Sequence, residues 1–219
     1  VGVFGVVALV SNTLRSIRRA FDPIVISIVS EADSLADNTR VRESVSQATS
    51  LILLTQTPVY AVLLAFLPEI LGFLGGGYVD AQVPTLVLCA FWIVNGALGV
   101  QGMVVVGVGR SDIALVNALV TGAAQVGLLL WLIPQYHLVG AALAVGSAMT
   151  LHNLLWTVQA RMLTGSFNAD RRVTWAVVAT TAAMITFGLV VLIMGEYAAL
   201  STRVVAFLAF VLVQGTLVI

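Results

Sequence analysis

The chain has 219 residues, of which 60% are hydrophobic and only 9% charged, and its mean hydropathy is +1.07. A soluble domain carries about 25% charged residues, so this composition excludes a surface clothed for water. Zero net charge leaves no basic field to hold nucleic acid, and the single cysteine, Cys89, excludes an internal disulfide framework or thiolate metal cluster.

The chain opens on Val1 within an apolar run that lacks the charged start of a signal peptide, and Ile219 stands in another such run. Both ends are expected to be internal to a longer protein. The first span carries a polar stripe: Ser11, Arg15, Arg18, Arg19 and Asp22 fall at offsets of three, four and seven, which is one helical face. Each Arg at a helix centre costs about 2.5 to 3.5 kcal/mol against lipid, so three cost about 8 to 10 and must face water, protein or an anion. Two arrangements fit the pattern. One is a continuous helix from Val1 to Ser30, about 45 Å long, with the stripe near its middle and a kink at Asp22-Pro23. The other is a helix begun upstream that ends with the arginines snorkelling at the cytoplasmic interface. In either case Asp22 is placed to pair with Arg18 or Arg19, leaving a surplus of two guanidiniums whose donor forks match phosphate.

Residues 31–44 begin with Glu31-Ala32-Asp33-Ser34-Leu35-Ala36-Asp37, too polar to cross, and read as an interfacial segment. Charge-free runs then mark spans at Ser44 to Pro68 and Ala81 to Gly109. Ile113 to Ala160 is long enough for two, divided by a turn at Pro134-Gln135-Tyr136-His137. Val173 to Gly195 and Val204 to Ile219 supply the last two. With no period-2 alternation, the spans are helices, and the expected fold is an all-α polytopic bundle of about seven transmembrane helices. Gly140, Ala144 and Ala148 lie at spacing four, where backbones can approach closely.

Arg40 and Arg42, Arg110, and Arg161, Arg171 and Arg172 fall in alternate connections, whereas the others carry only Arg203. That bias places Val1 and the connection from Gly75 to Gln82 outside and the C-terminal end inside a cytoplasmic membrane. Gln56, Asn95, Gln101, Asn117, Gln125, His152, Asn153 and Gln159 lie at membrane depth, and most are expected to bond across helices or to backbone, a minority to touch substrate. His152 also invites a role as a proton relay. The glycines 75–77 lack the Gly-Lys-Ser/Thr ending of a phosphate-binding loop. Glu69, Asp80 and Glu196 lie towards the outer face, and no two carboxylates share a helix core, so neither a cofactor site, a metal site nor a catalytic pair is indicated.

The order of several short motifs carries a resemblance. Phe21-Asp22-Pro23-Ile24-Val25 leads to Ser30-Glu31-Ala32, and a long helix ends in Leu67-Pro68-Glu69-Ile70-Leu71 before Tyr78-Val79-Asp80-Ala81. Val108-Gly109-Arg110-Ser111-Asp112 then opens a helix carrying Asn117, which ends in Leu132-Ile133-Pro134-Gln135-Tyr136-His137 before Val139-Gly140-Ala141-Ala142. This succession resembles the C-terminal half of a polysaccharide or oligosaccharide flippase of the multidrug, oligosaccharidyl-lipid and polysaccharide exporter superfamily. The resemblance implies a lobe over residues 1–165 with five transmembrane helices, two further helices over 166–219, and a facing N-terminal lobe as partner. It implies a non-enzymatic carrier that turns over a lipid-linked oligosaccharide by alternating access. Arg15, Arg18 and Arg19 would then seat the pyrophosphate, with Asp22 limiting their repulsion. A cation-coupled multidrug exporter of the same superfamily is the alternative within transport. A membrane-embedded sugar polymerase or glycosyltransferase is the alternative outside it, although the short external connections leave little room for its catalytic residues.

Overall fold

The computed structural model describes residues 2–34, 38–75, 77–98 and 100–164. The expected spans at 173–195 and 204–219, and Arg171, Arg172, Glu196 and Arg203, lie outside these. Among the described residues all regular structure is helical: α1 (Gly2–Arg19), α2 (Asp22–Ser34), α3 (Asn38–Leu74), α4 (Gln82–Ala97), α5 (Gln101–Gly107) and α6 (Ser111–Thr164), with one 3-10 turn at Val79–Ala81. Two of these helices are long and apolar enough to cross a membrane, or three elements if α4 and α5, which meet at 51°, form one broken span.

The N-terminal segment is not one continuous helix: α1 ends at the arginines, with Arg19 its last residue. It breaks at Ala20-Phe21, and a second helix starts at Asp22. Pro23 explains the break, since it has no N–H for the Arg19 carbonyl and its ring would clash there, yet it is well accommodated in the first turn of α2. The Val25 N–H reaches back to the Phe21 carbonyl at 3.1 Å and starts the new helix. Within 31–44, Glu31 belongs to the last turn of α2, and Arg40, Arg42 and Glu43 to the first turns of α3. α3 runs past both expected limits and holds Pro58 and Pro68 within it.

α6 is a helical hairpin rather than a rod. His137 has φ 48° and ψ −122°, and there the chain folds back, as expected for the turn at 134–137. Arms 111–136 and 138–164 are each about 40 Å long at 1.5 Å per residue. Gln159 Nε2 donates to Asn117 Oδ1 at 2.9 Å, and Asn117 Nδ2 returns a bond to Gln159 Oε1. One turn further, Thr121 Oγ1 meets His152 Nδ1 at 3.0 Å, so the arms are antiparallel.

The first arm shows what solvent it was built for. Its buried residues are Asn117 and Thr121, whereas Leu115, Val116, Leu119, Val120, Val126, Leu130 and Trp131 are exposed. In water this arrangement would be inverted; in lipid, where apolar contact supplies no drive between helices, polar groups and small residues make the seam. Hydroxyls behave accordingly. Thr49, Thr57, Thr85, Thr150 and Thr157 each donate to the carbonyl four residues back, at 2.6 to 3.0 Å, so they expose no unsatisfied group. The described chain is thus a membrane protein by its burial pattern as well as its hydropathy.

α4 is central, packed on α1, α3 and α6, while α5 packs on α2 and α6. Two apolar clusters result. One joins Val7, Val10 and Leu14 of α1, Tyr60 to Leu71 of α3, Leu88 to Ile93 of α4 and Ala142 of α6. The other joins Val25 and Val29 of α2, Val41 to Ile52 of α3, Val100 to Val105, Trp156 and Ala160. Arg40, Arg42, Arg110 and Arg161 all flank residues of the second cluster, so the cationic connections share one end of the bundle.

Gly140, Ala144 and Ala148 are buried as their spacing suggests. A Cβ on Gly140 would overlap the Leu132 carbonyl across the hairpin, a backbone group that cannot swing aside, whereas one on Gly127 would meet nothing within 4 Å. Gly140→Ala is therefore expected to destabilise the bundle by about 1 to 3 kcal/mol, the usual range for overpacking. Gly127→Ala should leave stability unchanged or slightly raised. Equilibrium unfolding of both variants in detergent checks the contrast.

Candidate functional site

Between the two apolar clusters every long element carries a polar residue at the same level. On α1 it is Arg18, after Ile17 of the first cluster and before Phe21 of the second. On α3 they are Gln56 and Thr57, between Ile52 and Tyr60; on α4 it is Asn95, between Ile93 and Val100; on the second arm of α6 they are His152 and Asn153, between Met149 and Trp156. Gln56, Thr57 and Asn95 are 0% exposed and Asn153 is 4% exposed, so this is an interior layer rather than a surface.

Its bonds run across the helices. Arg18 Nη2 donates to Asn153 Oδ1 at 3.0 Å, and Asn153 Nδ2 donates to Asn95 Oδ1 at 2.8 Å. One turn earlier on both α1 and α4, the Arg15 guanidinium lies 5.1 Å from the centre of the Trp92 ring, a cation–π arrangement that desolvation strengthens. Gln56 Nε2 donates to the Leu14 carbonyl at 2.7 Å. The absence of a side chain at Gly96 makes room for the other end of that amide, since a Cβ there would overlap Gln56 Oε1.

The structure divides the arginines that the sequence grouped. Arg15 and Arg18 are half-buried and turn into the bundle, while Arg19 is exposed. Ser11 is buried but bonds only its own helix, at the Ala8 carbonyl. The expected ion pair of Asp22 is not formed, because the break at Ala20-Phe21 removes the helical offset that would align it with Arg18 or Arg19. The described ion pairs are Arg40 with Glu31 and Arg110 with Asp112, both exposed. Asp22 Oδ1 is buried without a hydrogen bond.

Of the polar residues expected to bond across helices, Gln56, Asn95, Asn117, His152, Asn153 and Gln159 do so. His152 lies in the seam of the hairpin. Trp156 Nε1 donates to its Nε2 at 2.8 Å, which leaves the ring proton on Nδ1 to be given to Thr121 Oγ1. Thr121 in turn donates to the Asn117 carbonyl. Through these contacts His152 joins the two arms as part of the hairpin seam.

Sequence reasoning placed the arginines but not their partners. Asn95 and Asn153 were two of eight scattered polar residues, 58 positions apart, and only the packing of α4 on α6 brings them to Arg18. The chain matches no protein-family model, no curated protein and no solved structure.

The reciprocal Asn117–Gln159 pair is expected to couple the two arms by about 0.6 to 1.7 kcal/mol, the range of side-chain hydrogen bonds measured in membrane bundles. A double-mutant cycle with Asn117→Ala and Gln159→Ala reads that coupling; purely additive losses would mean that the pair contributes no mutual stabilisation.

Proposed function

We propose that this chain belongs to a membrane flippase that passes a polyprenyl-pyrophosphate-linked oligosaccharide across the cytoplasmic membrane for surface polysaccharide assembly. The observation that carries this reading is the pair Arg15 and Arg18, turned into the bundle beside a helix break, with no ion pair to a described carboxylate. Two half-buried cations turned into a largely apolar bundle are retained at a cost, so intramembrane charge of this kind marks a ligand path by default. A guanidinium suits a pyrophosphate because its fork of donors matches two oxygens at once. The order of sequence motifs supports the same substrate class, and the broken α1–α2 and α4–α5 helices have the discontinuous form that carriers use near their sites.

In this reading Arg15 and Arg18 hold the pyrophosphate electrostatically and no covalent step occurs. Asp22, close in sequence to Arg18, tempers the positive field of the pair, and a facing lobe supplies the other wall of the cavity. Arg19 has a lesser part, because it points out of the bundle.

Arg15→Gln with Arg18→Gln in the full-length protein should lower export about tenfold or more, the loss expected for charge-assisted hydrogen bonds. Arg19→Gln should stay within about twofold of the parent, as surface charges contribute little. Export of lipid-linked sugar by cells with matched membrane levels of each variant checks this. Unchanged export in the double variant would sink the assignment.

A further inference from the structure

The polar layer has its hydrogen bonds out of balance. Arg18 is a donor only, so it fixes the amide of Asn153 with Oδ1 towards the guanidinium. Asn153 Nδ2 must then face Asn95 Oδ1, and it also reaches the Met149 carbonyl at 3.1 Å. Turning the Asn95 amide over would set two NH2 groups against each other, so its Nδ2 is the end left unpaired. That atom, Arg18 Nε and Trp92 Nε1 are all buried donors without an acceptor. Asn95 is 0% and Trp92 5% exposed, and the two lie three residues apart on one face of α4, opposite Arg15 and Arg18. Buried polar atoms left unpaired are costly, and two acceptors, Gln56 Oε1 and Asp22 Oδ1, are in the same position; the three donors, on Arg18 and on the turn of α4 that faces Arg15, suit a ligand that brings acceptor oxygens and negative charge.

We propose that Asn153 is a built-in stand-in for that ligand: its Oδ1 holds Arg18 until a pyrophosphate group displaces it and takes the donors of Arg18, Asn95 and Trp92. This rests on the reading of Arg15 and Arg18 given above and deepens it. Among the described residues, Asn153 is the side chain that joins Arg18 of α1 to Asn95 of α4 through the second arm of α6. Displacing it therefore both vacates the seat and unties α6 from α1. Ligand occupancy and the position of the hairpin become linked, which is how a ligand shifts a two-state carrier, through differential contacts in its two arrangements.

The test titrates the full-length protein in nanodiscs with inorganic pyrophosphate and, separately, with farnesyl pyrophosphate. Asn153→Asp places a permanent anion against Arg18 with almost no change of shape, and should weaken binding of both probes about tenfold or more. Asn153→Ala removes the competitor and should tighten binding several-fold. Trp92→Phe, which keeps the ring beneath Arg15 and loses only the N–H, should weaken it. Tighter binding of farnesyl than of inorganic pyrophosphate assigns a lipid-linked ligand to the seat, and equal binding assigns the free anion; either supports the seat. Identical affinity in the parent, Asn153→Asp and Asn153→Ala, or no binding in any of them, overturns the proposal. If Arg18→Gln abolishes binding while the Asn153 variants do not move it, the stand-in fails and the arginine reading survives. If Arg18→Gln also binds as the parent does, both fail.

Discussion

The Arg18 guanidinium turns into the bundle at the level between its two apolar clusters, and much of the architecture accommodates it. A charged group at such depth needs partners that α1 cannot provide, because the helix uses its own carbonyls. Asn153 and Asn95 provide them from two other helices. α6 must therefore lie against α4, and the hairpin must fold back far enough to carry Asn153 to the level of the α1 terminus. The small residues Gly140, Ala144 and Gly146 permit this approach: a Cβ at Gly146 would collide with the Phe91 ring. Arg18, Asn153 and Asn95 thus tie α1, α6 and α4 together at one level, with apolar packing above and below it.

Lipid as solvent explains the rest of the burial pattern. The hairpin joins its arms through Asn117, Thr121, His152 and Gln159 and turns leucine and valine outward. Hydroxyls on nearly every helix return to their own carbonyls instead of seeking partners. A bundle in water gains from burying leucine. A bundle in hydrocarbon gains little by it and is held by complementary polar groups and close backbone contact.

Much of this was legible along the chain because the signals were local. The turn at 134–137 combines a proline with three polar residues inside a long apolar run, and a hairpin does fold there. Pro23 marked an interruption, and the helix breaks two residues before it, where the freed carbonyl and the ring clash act. The stripe of arginines read correctly as unusual. What the sequence could not convey was the side on which each guanidinium ends. Offsets of three and four put Arg15, Arg18 and Arg19 on one broad face, but Arg18 and Arg19 are also 100° apart about the axis, and tertiary packing chose between them. The bend between α4 and α5 was less legible: Gly96, Gly99 and Gly102 with Gln101 surround it, but they lie inside a charge-free run long enough to be read as one span. Nor could spacing pair Asn95 with Asn153: membrane-depth amides carry no mark of their partner until helices are placed side by side.

The position of the breaks relative to the polar layer carries a mechanical consequence. α1 ends one residue after Arg18, α4 ends two residues after Asn95, and α3 holds Pro58 directly after Gln56 and Thr57. Each of these elements is thus weakened in its backbone at the depth where the apolar core is interrupted by polar contacts. The first cluster packs one half of the bundle and the second cluster the other, with hydrogen bonds rather than interdigitated side chains between them. Close-packed cores resist bending, because their contacts are lost in discrete steps, whereas a hydrogen bond can be exchanged for one to a ligand at little net cost. Relative movement of the two halves would therefore concentrate in the layer that Arg18, Gln56, Asn95 and Asn153 form. A ligand bound in that layer would sit at the pivot, where its contacts are most sensitive to the angle between the halves. The same residues that make the interior tolerable for a cation in this way also make it the part of the fold easiest to move.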